Sequence, residues 1–421
     1  MIKPAACLPI AACRCCGGTD LPSVFDMGLM PPSDGFSRSA TDPDATYPLE
    51  VLMCAGCGLA QLRHTVAPDA LFGDDYFYFS SYTQTVLDNA RANVEAALAR
   101  FQPGPDALVV ELASNDGYLL KQVAARGHRV LGIDPAPHPV EAARAAGVET
   151  IHAFFTEALA AQLEAEGRQA SLVFASNVLA HVADTQDFVR GIRRLLRPDG
   201  MAVIEAPYLR DLLEHLEFDT IYHEHLCYFS VSALRELFAR QGLHLNDVER
   251  ISIHGGSLRI FVQKSDAPSA RMLRMLEEER ESGLDRPDAF QAFAARVAAV
   301  GEELRGVLRA LKAEGKRVAG YGAAAKGTIL LNFFRIGAED LIWIADKNPH
   351  KHGLYVPGMK VPVVGTDRIE SDAPDYLLIL PWNHREEIMR QQADFARRGG
   401  RFIIPIPQPR IVGARGQAEA A

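Results

Sequence analysis

Positive charge is scarce in this 421-residue chain: 44 Lys and Arg stand against 53 Asp and Glu, a formal charge of −9. No basic run or stripe offsets the deficit. Affinity for a phosphate backbone needs clustered cations, so nucleic acid is excluded as a partner. Long apolar runs are missing too, and nothing approaches the roughly 18 residues that cross a bilayer. The short apolar stretch at the N-terminus is broken by Pro4, Pro9 and a group of cysteines, which argues against a signal peptide. Seven cysteines cannot all pair, and an odd set of thiols points to a reducing compartment. The expectation is a cytoplasmic protein without a membrane partner. Nothing demands a dimer, so a monomer is expected.

What is present divides into three segments. Residues 1–75 are rich in Cys, Pro and Gly and poor in helical periodicity. Residues 76–268 alternate apolar runs ("ALVVELAS", "HRVLGIDP", "ASLVFASN", "GMAVIEAP") with helical stretches closed by Gly or Pro, the pattern of a doubly wound, Rossmann-like parallel sheet. Residues 269–421 begin with a charged helical connector to about 314. The alternation then restarts in "KRVAGYGAAAKG", "DLIWIADKNP", "YLLILPWN" and "GGRFIIPIP". The expected fold class is α/β, with a small N-terminal zinc-binding domain, a central Rossmann-like domain and a second, smaller Rossmann-like domain after the connector.

The zinc expectation rests on two CxxC pairs, Cys13/Cys16 and Cys54/Cys57, with 37 residues between the inner cysteines. Each CxxC turn converges two thiolates on one ion, and two turns complete a closed tetrahedral site of structural type. The usual spacer is shorter, about 15–20 residues, so the intervening chain must fold back further. Free thiols or a redox CxxC are the alternatives. Cys15 could replace Cys13 or Cys16, but only the 13/16 pair has the two-residue gap.

In the middle segment Glu111 ends the first strand, followed by Ala113, Ser114 and Asn115-Asp116-Gly117. A full GxGxxG is absent, so no helix-bound pyrophosphate is implied. Asp134 ends the next strand, where acidic residues accept hydrogen bonds from a ribose diol. Carboxylates without a phosphate cradle suit S-adenosylmethionine (SAM), which carries a ribose and a cationic methionine end. Asn177 and His181 follow the third strand and fall over the same carboxyl edge.

The order of these features resembles the nucleotide-sugar C-methyltransferases of deoxysugar pathways, such as tetronitrose biosynthesis. The resemblance covers nearly the whole chain: the two CxxC knuckles, "DDYFYFSSY", "ELASNDG", "NVLAHV", "YHEHLCYFS", "GYGAAAKG" and "PWNHREEIM". It implies an N-terminal zinc domain, a central SAM domain and a C-terminal domain that helps hold the nucleotide sugar. It also implies methylation of a ring carbon beside a 4-keto group, most often carbon 3, sometimes carbon 5. The family's base and its partners map to His225 and Tyr222, with Glu224 beside them, supported by Tyr76 and His181. Where this chain has Ala113 the family often has Gly.

Carbon methylation needs a carbon nucleophile, which a ketone provides once an adjacent proton is lost. His supplies a base that is neutral near pH 7. In the last segment Gly322 permits close backbone approach and Lys326 could meet a phosphate; Trp382 and Asn383 lie at another strand end, with His384 read as a loop residue. A nucleotide-sugar contact fits the family better than the NAD site that "GYGAAAKG" with Asp346 would otherwise suggest. Competing readings are methylation of oxygen or of another carbon acid, and a non-catalytic nucleotide-binding scaffold. "DTIYHEHLCYFS", taken alone, also suggests metal at His223 and His225; the four cysteines and the metal-free chemistry of proton loss turn it into a proton-transfer loop.

Overall fold

The computed structural model describes residues 7–67, 71, 80–82, 84–413 and 418–419. The central sheet has seven strands in the order His244–Ile251, Ser257–Gln263, Leu196–Pro207, Ala170–Ser176, Leu108–Leu112, Arg129–Asp134, Thr150–His152. The last five are parallel. Leu108–Leu112 is buried at every position, as expected of a strand covered on both faces by helices. The four apolar runs singled out in the sequence are four of these five strands.

The other two strands form an antiparallel hairpin on one edge, which the apolar alternation did not show. His244–Ile251 carries Asn246, Asp247, Glu249 and Arg250, so its hydrophobic run is broken by ionic residues. Asp247 is paired with Arg100 and Arg271, which makes that interruption tolerable in a sheet.

The C-terminal sheet repeats the plan. Val363–Gly365, Ile344–Asp346, Val318–Tyr321, Tyr376–Ile379 and Arg401–Ile404 are parallel, extended by two antiparallel strands. The connector is two helices, Ala270–Ser282 and Asp288–Ala313. The second buries Phe290, Phe293, Val297, Val300, Leu304, Leu308 and Leu311, a spacing of three and four that lines one face. Phe293 packs edge-on against Phe25 of the N-terminal segment at 5.2 Å. Gly301 lets the helix approach Ala325–Phe334, because a Cβ there would lie 2.6 Å from the Phe334 ring. The connector is therefore a packing core between the first and last segments.

The N-terminal sheet is antiparallel, built from Ser23–Met30, Tyr47–Met53 and Ala60–Leu62. Its fourth strand, Cys227–Tyr228, comes from the middle segment: Cys227 pairs with Gln61 and Tyr228 with Ala60. Among the described residues no helix is long and apolar enough to cross a membrane.

Candidate active site

The four cysteines converge as their spacing requires. Their Sγ atoms lie within 4.8 Å of one another, with Cys13–Cys57 at 3.6 Å and Cys16–Cys54 at 3.5 Å. A tetrahedron with Zn–S of about 2.3 Å has S–S edges of about 3.8 Å, so the cluster fits one zinc ion. The facing Cys57 thiol, with burial, pushes Cys13 up to about 12. Such crowded thiols ionise together only around a cation. Gln61 Nε2 donates to Cys13 Sγ at 3.1 Å, and Gln61 Oε1 accepts from Arg14 N at 3.0 Å. Cys15 is not one of the four, and its thiol lies 3.8 Å from the Ala233 carbonyl.

A second cluster occupies the carboxyl edge of the central sheet. Glu111 is fully buried, and neither of its oxygens has a partner among the described residues. Burial and then Asp134, Asp116 and Glu205 raise its pKa well above the ordinary value. Asp116 Oδ1, Ser114 Oγ and Asn177 Oδ1 are also buried and unpartnered among the described residues. A buried acceptor left unpaired is costly; Ser114 Oγ lies against Gly132, while Glu111, Asp116 and Asn177, at the ends of neighbouring strands, suit a ligand rich in hydroxyl and ammonium donors. The ribose and methionine ammonium of SAM supply them.

Backbone strain shapes this edge. Ala113, Asn115 and Asn177 adopt φ of +55°, +49° and +55°, a region that costs ordinary side chains about 1–2 kcal/mol. Gly at position 113 would remove that cost, which explains the family's preference. Gly117, at φ +73°, abuts Val148. Asp134 first secures the turn itself, accepting from Asn115 N at 2.9 Å and Ala136 N at 2.8 Å; the second lone pair on each oxygen remains for a diol.

The loop 220–225 lies beside this edge, with Leu226 N donating to Ala180 O. The Thr220 carbonyl is 2.8 Å from His225 Nδ1. A carbonyl only accepts, so Nδ1 carries the hydrogen and Nε2 the lone pair. Nε2 then accepts from the Tyr222 hydroxyl at 2.9 Å. Burial drives the His225 pKa well below 6.5, and the ring is neutral at pH 7. His181 packs edge-on against His225 at 4.7 Å. It is exposed at the surface of the Leu179–His181 turn. Tyr76 falls outside the described residues.

Glu224 faces the other way. Its Oε1 accepts from Ser33 Oγ at 2.9 Å, while Oε2 is buried without a partner among the described residues. Burial, then Asp34, raises its pKa to about 7. The Thr220 carbonyl therefore sets the His225 tautomer. His223 is 1% exposed, directed at the Tyr47 carbonyl at 3.3 Å. No cluster of metal-ligating atoms joins it to His225 among the described residues.

The C-terminal domain reaches the same cleft. Lys326 Nζ is 3.5 Å from Glu217 and 5.0 Å from the centre of the Trp382 ring. Trp382 Nε1 donates to Asp219 Oδ2 at 2.7 Å. Gly322 has φ +87° and backs onto Pro381, which a Cβ would contact at 2.5 Å; its need for Gly is met by packing. Asn383 is half-buried in the Trp382–His384 turn. Asp346 accepts from Ala323 N and Asn348 N, both at 2.7 Å, repeating the turn-securing role of Asp134.

Sequence reasoning missed His254, whose field acts on His225 and which is itself influenced by Lys326, His384, Glu217 and His181. The available signal was the glycine pair that follows it in "SIHGGS".

Three family models match the chain: "C-methyltransferase C-terminal domain" over residues 252–407, "Putative zinc binding domain" over 13–72 and "Methyltransferase domain" over 82–248. The chain is 36% identical to the C-methyltransferase NovU of Streptomyces niveus over 411 residues, 96% of this chain and 98% of NovU. It is 33% identical to a ubiquinone biosynthesis O-methyltransferase of Methylobacterium sp. (strain 4-46) over 103 residues, 23% of this chain and 41% of that protein. The solved magnesium protoporphyrin IX methyltransferase of Synechocystis PCC 6803 with bound SAM is 17% identical, with a TM-score of 0.34 over 47% of this chain and 89% of that one.

Proposed function

The chain belongs to the SAM-dependent C-methyltransferases, and from that premise we propose that its acceptor is a nucleotide-linked 4-keto-6-deoxysugar. The methylated atom is a ring carbon beside the ketone, carbon 3 in preference to carbon 5. SAM supplies an electrophilic methyl on a sulfonium. In this reading Glu111, Asn115, Asp116, Asp134 and Asn177 hold it, with Ala113 and Gly117 shaping the turn. Zinc, the metal of the four-cysteine cluster, takes no part in the chemistry.

His225 removes the proton. Its Nδ1–H is engaged by Thr220, so Nε2 is the basic atom, and this is the observation that carries the proposal. The Tyr222 hydroxyl holds the lone pair in line until the acceptor C–H takes its place. The C–H electron pair then becomes the enolate, the proton rests on Nε2, and the freed Tyr222 hydroxyl donates to the enolate oxygen. A donor that strengthens as charge develops favours the transition state over the ground state. His181, packed edge-on against His225, orients a sugar hydroxyl. Glu224 supports the loop. Lys326, Trp382, Asn383 and the Gly322 turn face the nucleotide diphosphate.

The functional segments we propose are 1–75 for metal, 76–268 for SAM and 269–421 for the nucleotide sugar; the three matched models, over 13–72, 82–248 and 252–407, support the same order of segments. The test is solvent exchange. With a 4-keto acceptor in D2O, wild-type enzyme should wash deuterium into the carbon beside the ketone. His225→Asn should abolish that exchange together with methylation. Exchange at the normal rate in the variant would remove His225 from the role of base.

A further inference from the structure

The hairpin that the sequence hid ends in the turn Ile253–Gly256. Pro207 pairs with Ser257, and Pro207 ends a parallel strand. This register carries the turn to the carboxyl edge of the sheet, above the cleft. At its tip His254 adopts φ +59° and ψ +18°. A non-glycine residue in that region is strained and persists only where its surroundings over-determine it.

The surroundings do so here. A Cβ on Gly255 would collide with the Glu217 carboxylate, and one on Gly256 with that of Asp211. Gly256 O accepts from Tyr208 N at 3.1 Å, and Ser257 Oγ donates to Ile253 O at 3.0 Å. The half-buried imidazole sits in the shared field of His181, His225, Lys326, His384 and Glu217. Among the described residues neither ring nitrogen has a hydrogen-bond partner, and both reach accessible space.

We propose that His254 is a further substrate-contacting residue, whose imidazole hydrogen-bonds an uncharged oxygen of the acceptor sugar near His225 and Lys326. Burial and Lys326 push its pKa down to about 4, so at pH 7 it offers one donor and one acceptor, the complement of a hydroxyl. Lys326 already supplies positive charge, so a phosphate oxygen is the poorer match. The inference rests on the nucleotide-sugar reading above.

The test uses full-length enzyme with SAM and the best acceptor from a panel of nucleotide 4-keto-6-deoxyhexoses. His254→Gly removes the ring while favouring the observed φ, so it should fold at least as well as wild type. Its acceptor KM should rise about tenfold, with kcat and SAM affinity by calorimetry within about twofold of wild type. His254→Asn, which tolerates the same backbone and keeps a donor, should restore most of the loss. An unchanged KM in His254→Gly, a fall in kcat alone, or a parallel loss of SAM affinity would each overturn the inference. If wild-type enzyme methylates nothing in the panel, the nucleotide-sugar reading fails and the inference falls with it. If wild type is active and the glycine variant matches it, only the inference falls.

Discussion

Burial and single hydrogen bonds give the residues of the loop their separate characters. His223, Glu224 and His225 are adjacent, yet they face the N-terminal sheet, Ser33 and the cleft in turn. Glu224 offers a direct check of this environment. Its pKa rises from 4.5 to about 7 in the folded protein. Near pH 4.5 and below the folded state holds its proton at no penalty. As pH climbs through 7 the folded state must bury the charge that the unfolded state exposes to water, and stability falls. Glu224→Gln should leave the denaturation midpoint almost unchanged at pH 4.5 and raise stability at pH 8 by on the order of 3 kcal/mol. Equal effects at both pH values would show that the carboxyl is charged throughout. The four cysteines, Glu111 and Asp134 were legible in the sequence because spacing and strand ends encode them. The Thr220 carbonyl was not: a backbone acceptor leaves no mark in residue identity. His254 was hidden because its importance lies in a backbone angle and in two carboxylates distant in sequence.

At the level of elements, the zinc knuckles and the loop bearing His225 meet at one sheet. Leu62 N donates to Leu226 O at 2.9 Å, and Leu226 N donates to Ala180 O at 2.7 Å. The strand after His225 is thereby fixed between the N-terminal sheet and the turn bearing His181. Gln61 connects the metal to this strand, donating to Cys13 Sγ while pairing with Cys227. Stripping zinc with a chelator should therefore raise hydrogen exchange at the Leu62 and Leu226 amides and reduce methylation, leaving exchange in the Leu108–Leu112 strand unchanged. Uniform protection after complete zinc loss would detach the metal from the loop. The parallel strands and the connector helices could be read from apolar periodicity. The edge hairpin could not, since Asp247 is satisfied by Arg100 and Arg271 and Arg250 by Asp211 and Glu214, all from other elements.

Across the whole molecule, all three segments meet at the loop. Ser33 of the first contacts Glu224 of the second, and Thr328 of the third donates to the Ser33 carbonyl at 2.8 Å. A second tie joins Trp382 to Asp219, a fully buried carboxyl that burial raises to about 6. Trp382→Phe keeps the ring but leaves Asp219 Oδ2 without its donor. Stability should fall by about 1–3 kcal/mol, and acceptor KM should rise while SAM affinity holds. Loss of SAM affinity to the same degree would show that the tie stabilises the central domain generally.

The reaction itself is tested most directly with SAM labelled in its methyl carbon and a panel of nucleotide 4-keto-6-deoxyhexoses, the product being read by two-dimensional nuclear magnetic resonance. The label should appear on a ring carbon adjacent to the ketone. A label bonded to oxygen, or no transfer to any member of the panel, would contradict the proposed chemistry.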